Sequence, residues 1–297
     1  MLMSRHAVLL CGFVATALGL GYMAAADAPV TYLLMNAAAF AIGLAAVAIL
    51  SRQPLRVSAG AACLGLAVLL LTTYLLGTAV DGATRWLRLG NITVQPSLVL
   101  LPVLTLTYAN ARNWVGAIGV SLTALVLALQ PDRAMSGALA AGVLALAVMR
   151  PDSRTLTALS AAIVGFATAM VRPDTQGAMP FVDRILVTSF DVHPVAGIAV
   201  ISGSMILLIP AVIGLRKNRS AATSHAVFGA VWLALVAAAA LGNYPTPLVG
   251  YGGSAILGYL LCSVALGSGT ASLTASGDRT AAQGRSGDRG GFSMGPV

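Results

Sequence analysis

Glutamate is absent from this chain: all nine acidic residues are aspartates, and sixteen arginines accompany a single lysine, Lys217. Charged residues fill only 9% of the 297 positions while hydrophobic ones fill 58%, with a mean hydropathy of +0.89. That leaves too little polar surface to clothe a soluble domain. Cysteine is scarce as well. Cys11, Cys63 and Cys262 each fall inside an apolar run without paired spacing, which excludes a disulfide framework and a thiolate metal site and reads as small buried side chains. Histidine occurs three times, at His6, His193 and His225, too scattered for a metal cluster. No phosphate-binding Walker loop, dinucleotide fingerprint, HExxH or GxSxG is present. The net charge of +8 does not point to nucleic acid, because the bases stand singly between apolar runs and build no basic face.

What remains is apolar run after apolar run, most of them near the ~20 residues of a membrane helix. They are Ala7–Ala26, Val30–Leu50, Ala59–Val80, Leu98–Ala109, Trp114–Leu129, Met135–Met149, Leu156–Val171, Val195–Leu215, Ala226–Leu241 and Tyr251–Leu266. Leu98–Ala109 is short and must borrow residues from Val94 onward. The expected fold is all-α, a polytopic membrane protein with about ten transmembrane helices. The first run ends in Ala24-Ala25-Ala26, which suits a cleaved signal peptide. A retained signal-anchor is the better reading, because the run exceeds a usual signal core and a second one follows at once.

Charge orients the array. With the N-terminus inside and the runs alternating, twelve basic residues fall inside and five (Arg85, Arg88, Arg133, Arg172, Arg184) outside, in keeping with the positive-inside rule. Both termini are then cytoplasmic. Six aspartates (Asp27, Asp81, Asp132, Asp174, Asp183, Asp191) lie outside. Residues 1–267 form the membrane domain; residues 268–297, rich in Gly, Ser, Thr, Ala and Arg, read as a disordered cytoplasmic tail.

The outer polar stretches are where chemistry can reside. Residues 81–97 pack Arg85, Trp86, Arg88, Gly90 and Gln95-Pro96-Ser97 between apolar runs. On a helical turn Arg85 and Arg88, at i and i+3, would project from one side and grip a phosphate beside the indole. The competing reading is an interfacial loop with snorkelling arginines. The longest outer loop, residues 172–194, carries Asp183-Arg184, which read as solvated charges, and Asp191. Asp191 either caps the following helix or acts as general base towards a sugar hydroxyl. Asp132, in Gln130-Pro131-Asp132, is placed to cap the sixth helix. The recurrence of Pro-Asp at Pro131-Asp132, Pro151-Asp152 and Pro173-Asp174 fits helix boundaries. Glycines in Tyr251-Gly252-Gly253-Ser254 permit close helix approach or a broken helix at the start of the last run.

Taken together and in order, these stretches resemble the SEDS family (shape, elongation, division and sporulation; FtsW, RodA and SpoVE). The family's first outer loop, G-A-x-R-W-I-x-L-G-x-x-x-x-Q-P-S-E, is matched by Gly82, Ala83, Arg85, Trp86, Leu89, Gly90, Gln95, Pro96 and Ser97. Its Q-P-D is matched by Gln130, Pro131 and Asp132, and its P-L-P-F-V-S-Y-G-G-S-S by Pro245 or Pro247, Val249, Tyr251, Gly252, Gly253 and Ser254. The resemblance implies a peptidoglycan glycosyltransferase of the bacterial cytoplasmic (inner) membrane. It would polymerise lipid II beside a class B penicillin-binding protein, among membrane lipids and without nucleic acid. It places a catalytic aspartate at the outer start of the eighth span, in a T-D-F-I-F-A context, a position Asp191 occupies by topology. Arg85, Arg88 or Arg184 would hold the departing undecaprenyl pyrophosphate. No cofactor is fixed and no metal ligand assigned, though a divalent cation, magnesium or manganese, is compatible with that chemistry.

The chain also departs from the pattern. Leu98 replaces the acidic residue after Q-P-S, Arg133-Ala134 the L-G after Q-P-D, and the long outer loop is shortened and lacks the family's paired glutamates. Arg184-Ile185 and Phe190-Asp191 also fit the family's R-I-x-x-F-x-D-P, which would make Asp191 structural. Two alternatives therefore stand beside the enzyme: a scaffold or regulator of wall synthesis that has lost catalysis, and a lipid-linked precursor transporter. Charges confined to the ends of the runs count against the transporter.

Overall fold

A computed structural model describes residues 2–52, 57–80, 83–90, 92–173, 176–217 and 222–266. The tail of residues 268–297 lies outside the described residues, as do Asp81, Gly82, Asn91 and Asp174. The chain runs α1 (Leu2–Ala25), α2 (Val30–Arg52) and α3 (Ala59–Leu76), then β1 (Thr78–Val80), β2 (Ala83–Leu89) and β3 (Ile92–Val94). It continues with α4 (Pro96–Ala111), α5 (Trp114–Leu129), α6 (Arg133–Met149), α7 (Ser153–Val171), α8 (Ile185–Val192), α9 (Pro194–Ile206), α10 (Ile209–Lys217) and α11 (Ala222–Leu241). The last described helix, α12, is Gly253–Leu266.

The chain is a multi-pass helical membrane protein. Among the described residues six helical stretches are long and apolar enough to cross a membrane, one of them α9 and α10 taken together, and α4, α5, α6 and α12 are shorter apolar helices. Large apolar side chains such as Leu34, Leu75, Val164 and Leu241 stand exposed on the outside of the bundle, where lipid would cover them. Inside, α5 packs on α3 and α7, α6 on α7 and α11, and α1 on α9. Trp232 and Tyr259 form an edge-on pair at the centre, their ring centroids 4.9 Å apart.

Helix ends follow local chemistry. Asn113 caps α5 by accepting from the Gly116 amide at 2.8 Å, and Asp152 caps α7 by accepting from Thr155 at 2.9 Å. That amide, with Arg112 and Arg154 nearby, holds the Asp152 carboxyl below its usual range against its partial burial. The eighth apolar run is one segment broken between α9 and α10. There Pro210 has no N–H to give, and Tyr259 Oη donates to the Leu207 carbonyl at 3.0 Å.

Proline also explains how α12 seats against α4. Pro102, inside α4, cannot donate to the Leu98 carbonyl one turn back, so that oxygen is left facing outward from the helix ladder. Gly258 packs onto it: a Cβ built on Gly258 would lie 2.1 Å from Leu98 O and 3.1 Å from Val99 Cα. Backbone cannot yield as a side chain does. Gly258→Ala is therefore expected to cost about 1–3 kcal/mol, read as a lower thermal midpoint in detergent, while Gly65→Ala, inside α3 with open space around it, does not lower the midpoint.

Two sequence expectations need correction here. The third run does not stay helical to Val80: α3 stops at Leu76, and Thr78–Val80 is a strand. Strands β1, β2 and β3 form a small antiparallel sheet in the order β1-β2-β3. Thr84, Trp86, Ile92, Thr93 and Val94 are β-branched or aromatic, which favours strand, and the turn after Leu89 closes over Gly90 at φ 63°. Within a strand, residues three apart face opposite ways. Arg85 points into the bundle and is buried, whereas Arg88 is exposed. The two arginines do not act as a pair.

Candidate active site at the outer end of the bundle

The connections α1–α2, α3–α4, α5–α6, α7–α8 and α11–α12 all gather at the end that charge counting assigns to the outside. At that end the sequence motifs meet. Arg85, on β2, donates from Nε to the Gln130 carbonyl at 3.3 Å and from an Nη to the Pro131 carbonyl, so it ties the sheet to the end of α5. Its guanidinium carbon stands 5.9 Å from the centroid of the Trp86 ring. Asp132 caps α6, as its spacing suggests: one carboxylate oxygen accepts from the Met135 amide at 3.1 Å. The other accepts from Gln95 Nε2 at 3.1 Å and lies 3.4 Å from Ser97 Oγ. The Gln95 amide donates in turn to Ser254 Oγ at 3.0 Å, across 159 positions of sequence. Gln-Pro-Ser, Gln-Pro-Asp and the serine of Tyr-Gly-Gly-Ser are thus one hydrogen-bonded unit, buried or nearly so. Such a unit is rigid because every lost partner would leave a desolvated polar group.

Beside this unit lies a cavity of about 80 Å³ whose lining includes Arg85, Trp86, Gln95, Asp132, Gln176, Asp183, Asn243 and Tyr244. Asp183 is the residue that sequence reasoning passed over. It is not a solvated loop charge: it is only 9% exposed. Its backbone bridges to Pro245, ahead of α12, and its carboxylate accepts from the Met179 amide at 2.8 Å. Burial pushes the Asp183 carboxyl above its usual range, and the Met179 hydrogen bond offsets only part of that. Phe181 and Arg184, on either side, both hold left-handed backbone, with φ of 62° and 59°. Non-glycine residues adopt that conformation only where surrounding contacts impose it. Nothing beside it in the sequence marks that burial, since the charged Arg184 follows it before the apolar Ile185-Leu186-Val187 of α8 begins.

Asp191 is placed elsewhere. It sits exposed on the last turn of α8, is absent from the lining of the cavity, and does not cap α9; His193 does, accepting from the Val195 amide at 3.1 Å. Arg184 is exposed beside the site. Tyr251 stacks on Tyr32 with centroids 3.9 Å apart, Gly252 donates its amide to Asn36, and Gly253 lets α12 approach Ala39 of α2. These three shape the wall behind the site without lining the cavity.

A second, larger cavity of about 670 Å³ opens sideways between α6, α7 and α11, lined by small and apolar residues such as Gly137, Ala141, Ile163, Phe166 and Ala237. It shares Ala134, Gln176, Asn243 and Tyr244 with the first, and Arg133 lies on its lining. Arg133 donates to the carbonyls of Ala169, at 3.3 Å, and Arg172, at 2.5 Å. Among the described residues no three His, Cys, Asp or Glu side chains gather as a ready-made metal cage. Of the carboxylates on the cavity lining, Asp132 has both oxygens engaged as above.

The chain is a helical membrane protein with a small cavity bearing Arg85, Asp132 and Asp183 at one end of its bundle, beside an apolar lateral groove. The comparisons narrow this further. The family model described as cell cycle protein, covering FtsW, RodA and SpoVE, matches residues 2–190, and the chain belongs to that family. The fold is similar to the crystal structure of the rod shape determining protein RodA of Thermus thermophilus, with TM-score 0.62 and 22% identity over 87% of this chain and 94% of that one. An aspartate-to-alanine variant of that RodA matches equally well, over 87% and 95% of the two chains. A chain from a peptidoglycan synthase complex that couples polymerization and crosslinking matches with TM-score 0.59 and 20% identity, over 88% and 97%. No curated protein sequence matches the chain.

Proposed function

We propose that this chain is a peptidoglycan glycosyltransferase of the bacterial cytoplasmic membrane that polymerises lipid II, with Asp183 as general base. The observation that carries the reading is the burial of Asp183 in a cavity shared with Arg85, Trp86, Gln95 and Asp132. The family resemblance asks for an aspartate at the outer start of the eighth span. Asp183 lies two residues before α8, which leads into α9 and α10, the eighth segment, and it is the buried carboxylate of the two candidates.

In this reading the Asp183 carboxylate takes the proton from an acceptor sugar hydroxyl as that oxygen attacks the anomeric carbon of the donor. The bond from that carbon to the pyrophosphate oxygen breaks, with inversion, and the undecaprenyl pyrophosphate leaves. Arg85 supplies a fixed positive charge on the cavity wall. Its hydrogen bonds to the α5 carbonyls fix its place, and the field it casts is preorganised for developing phosphate charge. The pyrophosphate would lie where the two cavities join, near Arg133, with Arg184 outside the mouth. The lateral groove suits a prenyl chain, being apolar and open to the bilayer. The inner cavity is small for a sugar–pyrophosphate headgroup, so α7 or residues 176–183 move outward on binding in this reading. A class B penicillin-binding protein, the partner implied by the family resemblance, is the natural agent of that opening.

The test is purified protein in liposomes with labelled lipid II, with and without a class B penicillin-binding protein. Polymer formed by the wild type supports the enzyme; no polymer under any partner condition favours the scaffold. Rate against pH adds a prediction with a definite sign. Only ionised Asp183 can accept a proton, and burial raises its pKa, so a larger protonated fraction survives to higher pH. The acid limb of the rate is therefore expected above the ordinary carboxylate value near ~4, shifted towards neutrality. Initial rates across the acid range check it.

A further inference from the structure

Helix α2 lines neither cavity, yet it carries one buried amide in an otherwise apolar helix. Asn36 is fully buried, at 0% exposure. An amide at that depth is costly unless both of its ends are paired. Both are: Asn36 Nδ2 donates to the Gly250 carbonyl at 2.9 Å, and the Gly252 amide donates to Asn36 Oδ1 at 3.0 Å. The side chain therefore brackets Tyr251 in the way a neighbouring strand would, and one turn earlier the Tyr32 ring stacks on Tyr251.

The bracketed segment is the one that holds Asp183. The Tyr251 amide donates to the Phe181 carbonyl at 2.7 Å, the Thr246 amide donates to the Val182 carbonyl at 3.0 Å, and Pro245 bridges to Asp183 itself. Three consecutive residues ending at Asp183 are thus strapped to residues 245–251. Asn36 fastens that strap from α2, outside the site, and the Gln95 backbone amide holds Ser254 just beyond it. Phe181 also meets the Tyr22 and Tyr32 rings, with centroids at 6.5 and 6.1 Å, so α1 and α2 press on the strap from behind.

We infer that Asn36 is a positioning residue: it sets the backbone of Phe181–Asp183 through Gly250–Gly252 without touching the cavity. The catalytic half of this inference rests on the function proposed above; the mechanical half does not. The left-handed backbone at Phe181 and Arg184 gives the mechanism its sense, because a strained segment relaxes when its restraint is removed.

The experiment is Asn36→Leu, close in volume but without either hydrogen bond, in full-length protein in liposomes with two readouts. Hydrogen exchange is expected to rise at least about tenfold in peptides covering 179–183 and 245–252, with peptides of α5 to α7 unchanged. For lipid II polymerisation, kcat is expected to fall roughly ten- to hundredfold with KM within about twofold. Should Asn36→Leu fail to fold, Asn36→Gln keeps donor and acceptor one methylene further out and should show the same exchange pattern in smaller form. Unchanged exchange at 179–183, a rise spread over the whole bundle, or a local rise with full kcat would each overturn the inference. If wild-type protein makes no polymer while the local exchange change appears, the proposed activity fails and the mechanical coupling stands.

Discussion

Replacing Asp183 by asparagine is expected to lower the rate of lipid II polymerisation by about 10²–10⁴-fold, the range a positioned general base supplies, while leaving the protein folded. The fold prediction follows from the direction of the pKa shift. A carboxyl whose folded-state pKa lies above its unfolded value contributes stability that is present at low pH and lost as pH rises through the folded pKa. At neutral pH the ionised, desolvated Asp183 is therefore a cost to the fold. The substituted amide would still accept from the Met179 N–H through its carbonyl oxygen and would carry no charge. Asp183→Asn should melt at or above the wild-type temperature while losing activity. A residue kept for structure alone would behave in the opposite way.

Arg85→Met is expected to destabilise the protein by roughly 1.5–3 kcal/mol for each charged-group hydrogen bond lost, less what is recovered by no longer burying a guanidinium. Arg85 ties the strand β2 to the carbonyls of Gln130 and Pro131, so its removal frees the sheet from the end of α5 and leaves buried oxygens unpaired. Polymerisation should fall with it, because the cavity loses its fixed positive charge. Arg85→Lys keeps the charge but not the fork that reaches two carbonyls at once, and should recover only part of either loss. Arg88→Met, exposed on the other face of the same strand, should change stability by less than about 0.5 kcal/mol. Thermal midpoints of the three variants measured together read this out. Equal losses at Arg85 and Arg88 would contradict the strand geometry.

Much of what gathers at the candidate site could be read from the chain before any fold was known. Apolar runs of membrane length placed the helices. Alternating arginine-rich ends placed Arg85, Gln95, Asp132 and Tyr251–Ser254 on one face, and the motifs identified the family. Asp132 as a helix cap follows from its place after a proline and before an apolar run. What stayed hidden depends on contacts between distant parts of the chain. Whether residues 83–89 are helix or strand decides which arginine turns inward, and an i, i+3 spacing is uninformative until that is known. Asp183 carries no local mark of burial: it is desolvated by Pro245 and the lining of α6 and α11, which approach it only in the assembled bundle. Asp191 fitted topology better because a helix, α8, begins unforeseen just after Asp183 and carries Asp191 on its last turn out to the surface. Asn36 reads as one polar residue in a membrane helix; only the folded loop opposite reveals its two partners.

The measurement that bears most directly on this account is a side-by-side comparison of Asp183→Asn and Asp191→Asn in the same liposomes, with the same partner protein and labelled lipid II. The account predicts polymer at background level for Asp183→Asn and a rate within about threefold of wild type for Asp191→Asn, since an exposed surface substitution touches neither the cavity nor a buried partner. Activity retained by Asp183→Asn and lost in Asp191→Asn would contradict it, and would move the chemistry out of the cavity that Arg85, Gln95 and Asp132 enclose.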